Sequence, residues 1–424
     1  MKYKISEICD VNSNNLSKKD DFKYIDYLDT SNLTKGIIGE LQTLNLSTDK
    51  IPSRAKRKIK DKDILISTVR PNQKHYGIIK KAKKNLIAST GFVVLSANES
   101  LVDSEYLYRF LTQDNMTEYF QAIGETSTTA YPSIKPSVIS ELEINLPPLE
   151  EQKAIAKILS DLDEKIEVNN NINKNLEEMA QAIFKQWFVD FEFPNEEGKP
   201  YKSSGGEMVE SELGMIPKGW KVELLKNYCE LNKGLSYKGK FLAEQGVPML
   251  NLGNVKPGGG YRKEKNKYYT GEFKERHTVK KGDIIIANTD MTQDRTILGS
   301  PFIVPDLNNS ESIIFTHHLF AFSNLKISKK YIYYYLKSKK FRERAESYAT
   351  GTTVLAISKN SVLDIDFVLP TNSILKKFDL IVESFIQKIE STSKENDLLE
   401  KLRDTLLPKL MSGEIRVPLE NSEN

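Results

Sequence analysis

Residues 146–188, LPPLEEQKAIAKILSDLDEKIEVNNNINKNLEEMAQAIFKQWF, decide the fold, because their apolar residues recur at alternating steps of four and three. A seam with a repeat of about 3.5 residues is typical of helices that coil around a partner. Pro147 and Pro148 suit the start of such a helix and not its interior. The seam residues are Ile155, Leu159, Leu162, Ile166, Leu176, Ala180, Ile183 and Trp187, with polar Asn169 and Asn173 in the middle.

A second copy of this seam lies 223 positions later in the chain. It comprises Phe378, Val382, Phe385, Ile389, Leu399, Arg403, Leu406 and Leu410, with Thr392 and Asn396 at the polar break. The simplest way to bury both seams is to pack two helices, each about 60 Å long, into an antiparallel coiled coil. Within it, Asn173 and Asn396 are predicted to pair and to fix the register. Two independent surface helices are the alternative.

The sequence outside the helices is duplicated as well. Asp63–Ile66 matches Asp283–Ile286 at an offset of 220, and Tyr106–Leu111 matches Tyr331–Leu336 at an offset of 225. A repeat of this length indicates a tandem duplication. The fold class that follows is α+β, with two similar mixed α/β domains joined by the two helices about an internal pseudo-twofold axis.

Bulk composition excludes several classes of protein. The chain has 424 residues, a net charge of +3 and two cysteines, Cys9 and Cys229. No apolar run reaches the ~20 residues that span a bilayer, and the first residues have no apolar signal-peptide core. A disulfide framework is not expected, and we predict a cytoplasmic protein without a membrane partner.

Charge is unevenly distributed along the chain. Residues 1–148 carry +3 and residues 201–370 carry +8, whereas residues 149–200 carry −6 and residues 371–424 carry −2. Basic globular parts indicate binding of a polyanion, and acidic helices indicate a solvated or protein-facing role. Chance variation remains the alternative for the first part.

No catalytic motif was found in the sequence. It has no GxxxxGK[ST] phosphate loop, its four histidines form no HExxH pattern, and two cysteines cannot build a thiolate zinc site. Leu146-Pro147-Pro148 is not the Asn-Pro-Pro-aromatic motif of amino-group DNA methyltransferases. We therefore expect a binding protein with no metal site and no catalytic residue of its own.

Polar loops and a basic cluster are the candidate DNA contacts. Arg, Asn, Gln and Lys side chains read base edges or clamp phosphates, and they follow matching strands in both copies together with hydroxyl-rich loops. Ordinary surface turns and a solvated charged face are the alternatives. Candidates in the first copy are Arg54, Lys56, Arg57, Lys58, Lys60, Arg70, Asn72, Lys74, His75, Ser127, Thr128 and Tyr131. Candidates in the second copy are Asn288, Thr289, Asp290, Gln293, Arg295, Thr352 and Thr353, and Lys337, Lys339, Lys340, Arg342 and Arg344 form a predicted basic helix face.

The chain resembles the specificity subunits of type I restriction-modification systems. LPPLEEQKAIAKIL at 146–159 and AQAIFKQWFVDFEF at 180–193 resemble the two ends of that family's first conserved helix. LRDTLLPKLMSGEI at 402–415 resembles its C-terminal signature. ISTVRPN at 66–72 and GDIIIANTDMTQDR at 282–295 resemble strand-loop segments of its target recognition domains.

The resemblance implies a division of the chain and a set of partners. It implies target recognition domains at 1–148 and 198–370, a spacer helix with linker at 149–197, and a second spacer helix with a tail at 371–424. Each recognition domain would read one half of a split site in double-stranded DNA. The helices would bind two methyltransferase subunits, which carry S-adenosylmethionine, and translocase-nuclease subunits would complete the complex. A non-catalytic coiled-coil adaptor that binds protein, and a self-contained DNA-modifying enzyme, are the competing hypotheses.

Overall fold

The chain forms two compact units in a computed structural model that describes residues 1–17, 19–127, 131–291, 295–307 and 312–418. Unit 1 comprises Met1–Asn169 and Lys394–Asn424, and unit 2 comprises Asn170–Ser393. Both divisions fall inside long helices, so each helix contributes one segment to each unit. The domain boundaries that the resemblance implies stay a prediction.

Unit 1 is built mainly of short strands. Its helices outside the long pair are α1 (Ile5–Ile8), α2 (Ser104–Leu111), α3 (Asp114–Glu125) and α4 (Pro136–Ser140). Its strands are β1 (Lys2–Lys4), β2 (Cys9–Val11), β3 (Tyr24–Leu28), β4 (Leu33–Thr34), β5 (Ile37–Ile38), β6 (Gln42–Asn45), β7 (Ala55–Lys58), β8 (Ile64–Ser67), β9 (Tyr76–Ile78), β10 (Leu86–Ser89), β11 (Phe92–Ala97) and β12 (Glu143–Asn145).

Two four-stranded sheets form the body of unit 1. Their strand orders are β6-β3-β10-β7 and β2-β11-β8-β9, and β1 pairs with β12 next to the start of the first long helix. All four residues of β8 are buried, and the apolar run of its first three residues predicts such a central strand. Because β8 is central, the loop that leaves it is anchored at its first residue.

Unit 2 repeats this arrangement with longer insertions. Its shorter helices are α6 (Lys329–Lys337), α7 (Lys339–Ser347) and α8 (Lys359–Leu363). Its strands are β13 (Met208–Val209), β14 (Ile216–Pro217), β15 (Lys221–Leu224), β16 (Glu230–Lys233), β17 (Leu242–Ala243), β18 (Val247–Leu250), β19 (Lys267–Tyr269), β20 (Thr278–Val279), β21 (Ile284–Ala287), β22 (Thr289–Asp290), β23 (Pro301–Ile303), β24 (Ile313–Phe315), β25 (Leu319–Ser323), β26 (Leu355–Ala356) and β27 (Asp366–Leu369).

The sheets of the two units correspond strand by strand. Order β16-β25-β21-β23 in unit 2 matches β2-β11-β8-β9 in unit 1, and β15-β27 matches β1-β12. The remaining large sheet has one parallel pair in each unit, β3 with β10 and β18 with β24. The predicted α+β fold with two similar domains is therefore confirmed.

The two long helices are α5 (Leu149–Phe184), which continues as a π-helical turn at Lys185–Val189, and α9 (Asn372–Ser412). Polar contacts between them fix an antiparallel direction. In unit 1, Arg403 donates to Asp163 at 2.7 Å and Asn169 donates to Asn396 at 2.8 Å. As residue numbers fall along α9, the partners on α5 rise, which confirms antiparallel packing. No helix among the described residues has the length and apolar character needed to cross a membrane.

Buried side chains follow the predicted seam in both units. In unit 1, Ile155 and Leu159 are buried in the same apolar cluster as Leu410. In unit 2, Trp187 and Phe378 lie with ring centroids 6.2 Å apart. Of the other predicted packing residues, Ile166, Ala180 and Val382 are buried, and Leu162, Asn173, Leu176, Ile183, Phe385, Ile389, Leu399 and Leu406 are partly buried.

The predicted pairing of Asn173 with Asn396 is wrong, because each asparagine takes another partner. Asn396 accepts from Asn169, whereas Asn173 accepts a hydrogen bond from Thr392 and donates to Ser393 at 3.3 Å. In an antiparallel pair, the first polar position of one helix lies level with the last of the other. A residue of one helix therefore does not face its own duplicate, so that Asn173 faces Thr392 and not Asn396.

Candidate nucleic-acid interface

Two loops of unit 1 meet where strand β8 ends. Loop A1 (residues 68–75) leaves β8, and loop B1 (residues 126–133, with 128–130 outside the described residues) follows helix α3. The N–H of Ile134 donates to the carbonyl of Thr68 at 2.9 Å, and the N–H of Arg70 donates to that of Pro132 at 2.8 Å. These backbone bonds join the polar loop and the hydroxyl-rich loop into one surface.

Unit 2 makes the same junction with its own loops. Loop A2 (residues 288–300, with 292–294 outside the described residues) leaves β21, and loop B2 (residues 350–357) precedes α8. The N–H of Ile357 donates to the carbonyl of Asn288 at 2.9 Å, which is the counterpart of the Ile134–Thr68 bond. Strand β22 of loop A2 pairs with β26 of loop B2. Both copies therefore bring together the loops that the sequence singles out.

Arg70 of loop A1 is partly buried and contacts an aromatic residue of loop B1. Its guanidinium lies over the ring of Tyr131 from loop B1, with 3.9 Å between the guanidinium carbon and the ring centroid. Tyr131 is 55% exposed. The pair presents a cation and an aromatic ring together at the junction, an arrangement that suits nucleic-acid binding.

Other predicted contacts in loop A1 are engaged within the protein. Lys74 donates to Asp114 at 2.5 Å, and the His75 ring contacts the Leu33 carbonyl at 2.8 Å and the Gln73 side chain at 3.0 Å. Asn72 is exposed, and its backbone N–H donates to Gln121. Of these three residues, Asn72 alone has an exposed side chain. Ser127 in loop B1 is partly buried, and Thr128 lies outside the described residues.

The basic cluster of residues 54–60 divides into two groups. Arg57 donates to Asn15 at 2.8 Å, and Lys58 pairs with Asp20 at 2.6 Å, so both side chains help to hold strand β7. Arg54, Lys56 and Lys60 are exposed. The N–H of Thr90 donates to the carbonyl of Arg54. The carbonyl of Gly91, which follows Thr90, accepts a hydrogen bond from the N–H of Thr68 at the start of loop A1. Arg54 therefore belongs to the same edge of unit 1 as Arg70.

In unit 2, the first residues of loop A2 are structural. Asn288 is buried and its side chain donates to the His317 carbonyl at 3.0 Å. Asp290 is completely buried, and its carboxylate accepts from the N–H groups of Ile297 and Leu298 at 2.7 and 3.1 Å. These contacts shape the loop, whereas base reading would require exposed groups.

Thr289 and His318 form a pair at the edge of this surface, 3.0 Å apart between Oγ1 and Nδ1. Burial lowers the pKa of His318, and the charges of His317 and Lys233 act in the same direction. His318 is therefore neutral at physiological pH and can donate or accept a hydrogen bond.

Of the predicted contacts in unit 2, Arg295, Thr352 and Thr353 are exposed, and Gln293 lies outside the described residues. Arg342 donates to the carbonyls of Arg295 and Thr296 at 3.2 and 3.0 Å. Arg342 thereby holds loop A2 from behind.

The predicted basic face of helices α6 and α7 is not a free surface. Lys337 donates to Glu177, Arg344 pairs with Asp366, and Arg342 holds loop A2. Burial lowers the pKa of Lys340. Lys339 and Lys340 are the two exposed members, and the side chain of Lys339 is 89% exposed. The prediction of this basic face is therefore wrong, because most of its charges are used to attach neighbouring segments of unit 2.

A metal site does not form among the described residues, where no three His, Cys, Asp or Glu side chains come close enough to hold an ion. Cys9 and Cys229 are buried thiols, and burial raises the pKa of each to about 12. Both match small core residues rather than reactive or metal-binding thiols.

Comparisons with known proteins show what this chain is similar to. The family model described as the type I restriction modification DNA specificity domain matches residues 1–178. The family resemblance predicted from the sequence is confirmed.

Similarity extends over almost the whole chain. The type I restriction enzyme HindI specificity subunit of Haemophilus influenzae is 27% identical over 95% of this chain and 97% of its own length. The MjaIX specificity subunit of Methanocaldococcus jannaschii is 29% identical over 80% of this chain and 76% of its own length. The S subunit of a type I restriction-modification system from M. genitalium has the same fold, with a TM-score of 0.53 and 19% identity over 97% of this chain and 95% of that one.

Proposed function

We propose that this chain is a non-catalytic DNA-binding specificity subunit that reads a bipartite site, one half with each unit. The observation that carries the proposal is the repeated loop junction, in which the Ile134–Thr68 and Ile357–Asn288 bonds join equivalent loops in the two copies. The residues at the junction surface differ between the copies, with partly buried Arg70 and exposed Tyr131 in one and exposed Arg295, Thr352 and Thr353 in the other. Two unlike surfaces on one scaffold fit a split, asymmetric site.

Binding through phosphates should make the affinity of the full chain for duplex DNA fall steeply with salt. Between 50 and 200 mM salt, six to ten phosphate contacts would weaken binding by about 10³- to 10⁵-fold. The experiment is a titration of labelled duplex carrying the motif found by methylome sequencing, repeated at four salt concentrations. Affinity that does not change with salt would instead favour the protein-binding adaptor. Incubating the chain alone with that duplex and S-adenosylmethionine should give no methyl transfer.

Docking of two methyltransferase subunits is the second part of the proposal, and exposed apolar residues on the helices support it. Met179 on α5 is 51% exposed and Leu402 on α9 is 47% exposed. They are related by the same offset of 223 as the seam residues, yet they lie outside the seam. Val168 and Leu398, also exposed on these helices, are 52% and 67% accessible. Repeated exposed apolar positions suit two copies of one partner.

Charged substitutions at the two positions test the docking. The complex of wild-type chain with its methyltransferase subunits should contain two of them by native mass spectrometry. Met179→Glu and Leu402→Glu should each reduce the number to one, and the double variant should retain none. Lys174→Glu serves as the control, because it changes the charge at an exposed position of α5 that is not one of these apolar residues. A double variant that still holds two subunits would contradict this docking site. S-adenosylmethionine is expected in those partner subunits, and the translocase-nuclease subunits are expected to join the same complex.

A further inference from the structure

The stacked pair of Arg70 and Tyr131 has a more specific use than general attraction to DNA. We propose that Arg70 reads a guanine in the half-site bound by unit 1, with Tyr131 as the residue that positions it. This inference rests on the proposed function and names one base pair of the site. Guanine offers two acceptors, O6 and N7, at the spacing that a guanidinium fork matches.

Stacking prepares the guanidinium for such a contact. With 3.9 Å between the guanidinium carbon and the Tyr131 ring centroid, the ring covers one face of the planar cation. The five N–H donors of an arginine lie in that plane, so stacking leaves them available for hydrogen bonds. A guanidinium already held flat loses less rotamer freedom when it binds, which favours a specific contact.

The backbone of Arg70 is fixed as well. Its φ and ψ angles of 49° and 64° lie in the left-handed region, which non-glycine residues seldom adopt. Its N–H donates to Pro132 at 2.8 Å and its carbonyl accepts from Gln73 at 2.9 Å. Arg295 in loop A2 has a φ of 53°, so the second copy also places an arginine in this conformation. Because hydrogen bonds hold the backbone of Arg70 on both sides, the position from which its side chain projects is defined.

The Arg70 side chain is also uncommitted. Within the described part of the chain, its guanidinium contacts the Tyr131 ring but has no carboxylate within ion-pair distance and no hydrogen-bond acceptor. Nearby cations differ: Lys74 pairs with Asp114, and Arg57 donates to Asn15. Phosphate contacts need only positive charge, which exposed Arg54 and Lys56 already supply at this edge. A guanidinium that is held against an exposed aromatic ring and makes no hydrogen bond within the described residues is better suited to a base edge than to a phosphate.

The test compares the sites selected by the complex of full-length chain and methyltransferase subunits from a pool of duplexes with 30 randomised base pairs. The wild-type complex should select a bipartite motif with an invariant G·C pair in one half. Arg70→Ala and Arg70→Lys should both make that position degenerate, lowering discrimination against other bases between about fivefold and a hundredfold. The other half-site should stay unchanged, which shows that the variants fold. Tyr131→Ala should relax the same position, and Tyr131→Phe, which keeps the ring, should restore it.

Arg54→Ala is the matched control, since it removes an exposed arginine from the same unit without an aromatic partner. It should weaken binding equally for all sequences and lower the salt dependence by about one unit of slope. If Arg70→Ala gives that result, with Arg70→Lys restoring binding, Arg70 contacts a phosphate and the inference is wrong. An unchanged motif in both Arg70 variants overturns it as well. A wild-type complex that selects no bipartite motif contradicts the proposed function itself, and the guanine assignment falls with it.

Discussion

At the scale of single residues, the type of a polar side chain predicts what it can bind but not whether its donors and acceptors are already used. Asp290 and Arg70 both occur in polar loops after matching strands, so the sequence ranks them equally. The structure buries Asp290 on two backbone N–H groups and leaves Arg70 stacked on Tyr131. Short polar side chains often bond to nearby backbone in this way, and the partner depends on loop conformation. Loop conformation is the information that composition and spacing lack.

Asp26 provides a test of one buried charge. It is buried on strand β3, where it accepts from Lys83 at 2.9 Å and from Thr43 at 2.8 Å. The hydrogen bond from Lys83 is the main cause that lowers the pKa of Asp26. A carboxyl whose pKa is lower in the folded state stabilises the fold above its unfolded pKa of about 3.9, and that contribution disappears as the pH falls through the folded pKa.

Asp26→Asn should therefore lower the free energy of unfolding at pH 7 by about 1–3 kcal/mol. The difference from wild type should begin to shrink as the pH falls below about 4, where the carboxyl of the unfolded chain takes up a proton, and should disappear below the lowered pKa of the folded state. Urea unfolding at pH 7, 5, 4 and 3 measures the difference. Lys83→Met, which removes the cation, should show the same pH trend. An equal loss at pH 3 and pH 7 would mean that packing, not charge, determines the effect of the substitution.

At the scale of elements, periodicity was enough to predict the long helices and their packing face. Apolar residues between Asp103 and Phe120 follow one helical pattern, whereas the structure has two helices there, α2 and α3, with a break at Thr112–Gln113. The break contains no proline or glycine, so it cannot be predicted from residue types alone. The register of the helix pair was also predicted wrongly. The prediction paired two identical residue types, Asn173 and Asn396, whereas the antiparallel direction places Asn169 against Asn396 and Asn173 against Thr392.

Thr392 tests this polar break in the seam. It is 1% exposed, and its hydroxyl donates to Asn173 across the helix pair. Thr392→Val keeps the shape but leaves the Asn173 carbonyl oxygen without this donor, so the free energy of unfolding should fall by about 1–3 kcal/mol. Thr405→Val on the same helix removes an exposed hydroxyl that bonds only within its helix, and should change stability by less than about 0.5 kcal/mol. Urea unfolding compares the two variants, and equal effects would show that the contact across the seam does not contribute.

At the scale of the whole molecule, duplication is what the sequence reveals most directly. An offset of 220–225 predicted two related units, and their sheets share one strand order. The insertions that distinguish unit 2, such as β17, the additional strand of its five-stranded sheet, were not predicted because they have no counterpart to align with. Matched scaffolds with different loops are what two readers of unlike half-sites require.

Helix length should then determine the spacing between the half-sites. In the observed register, residues 166–172 of α5 lie level with residues 393–399 of α9, so removing both segments takes out one heptad while the Asn173–Thr392 contact remains. One heptad is about 10.5 Å of helix, or about three base pairs of DNA. Methylome sequencing of cells that express the shortened chain with its methyltransferase subunits should show the same half-sites separated by about three fewer base pairs. Duplicating both segments should lengthen the spacer by the same amount, which separates a true change of length from a folding defect. If either variant methylates the original site with its original spacing, the helices do not set the distance between the half-sites.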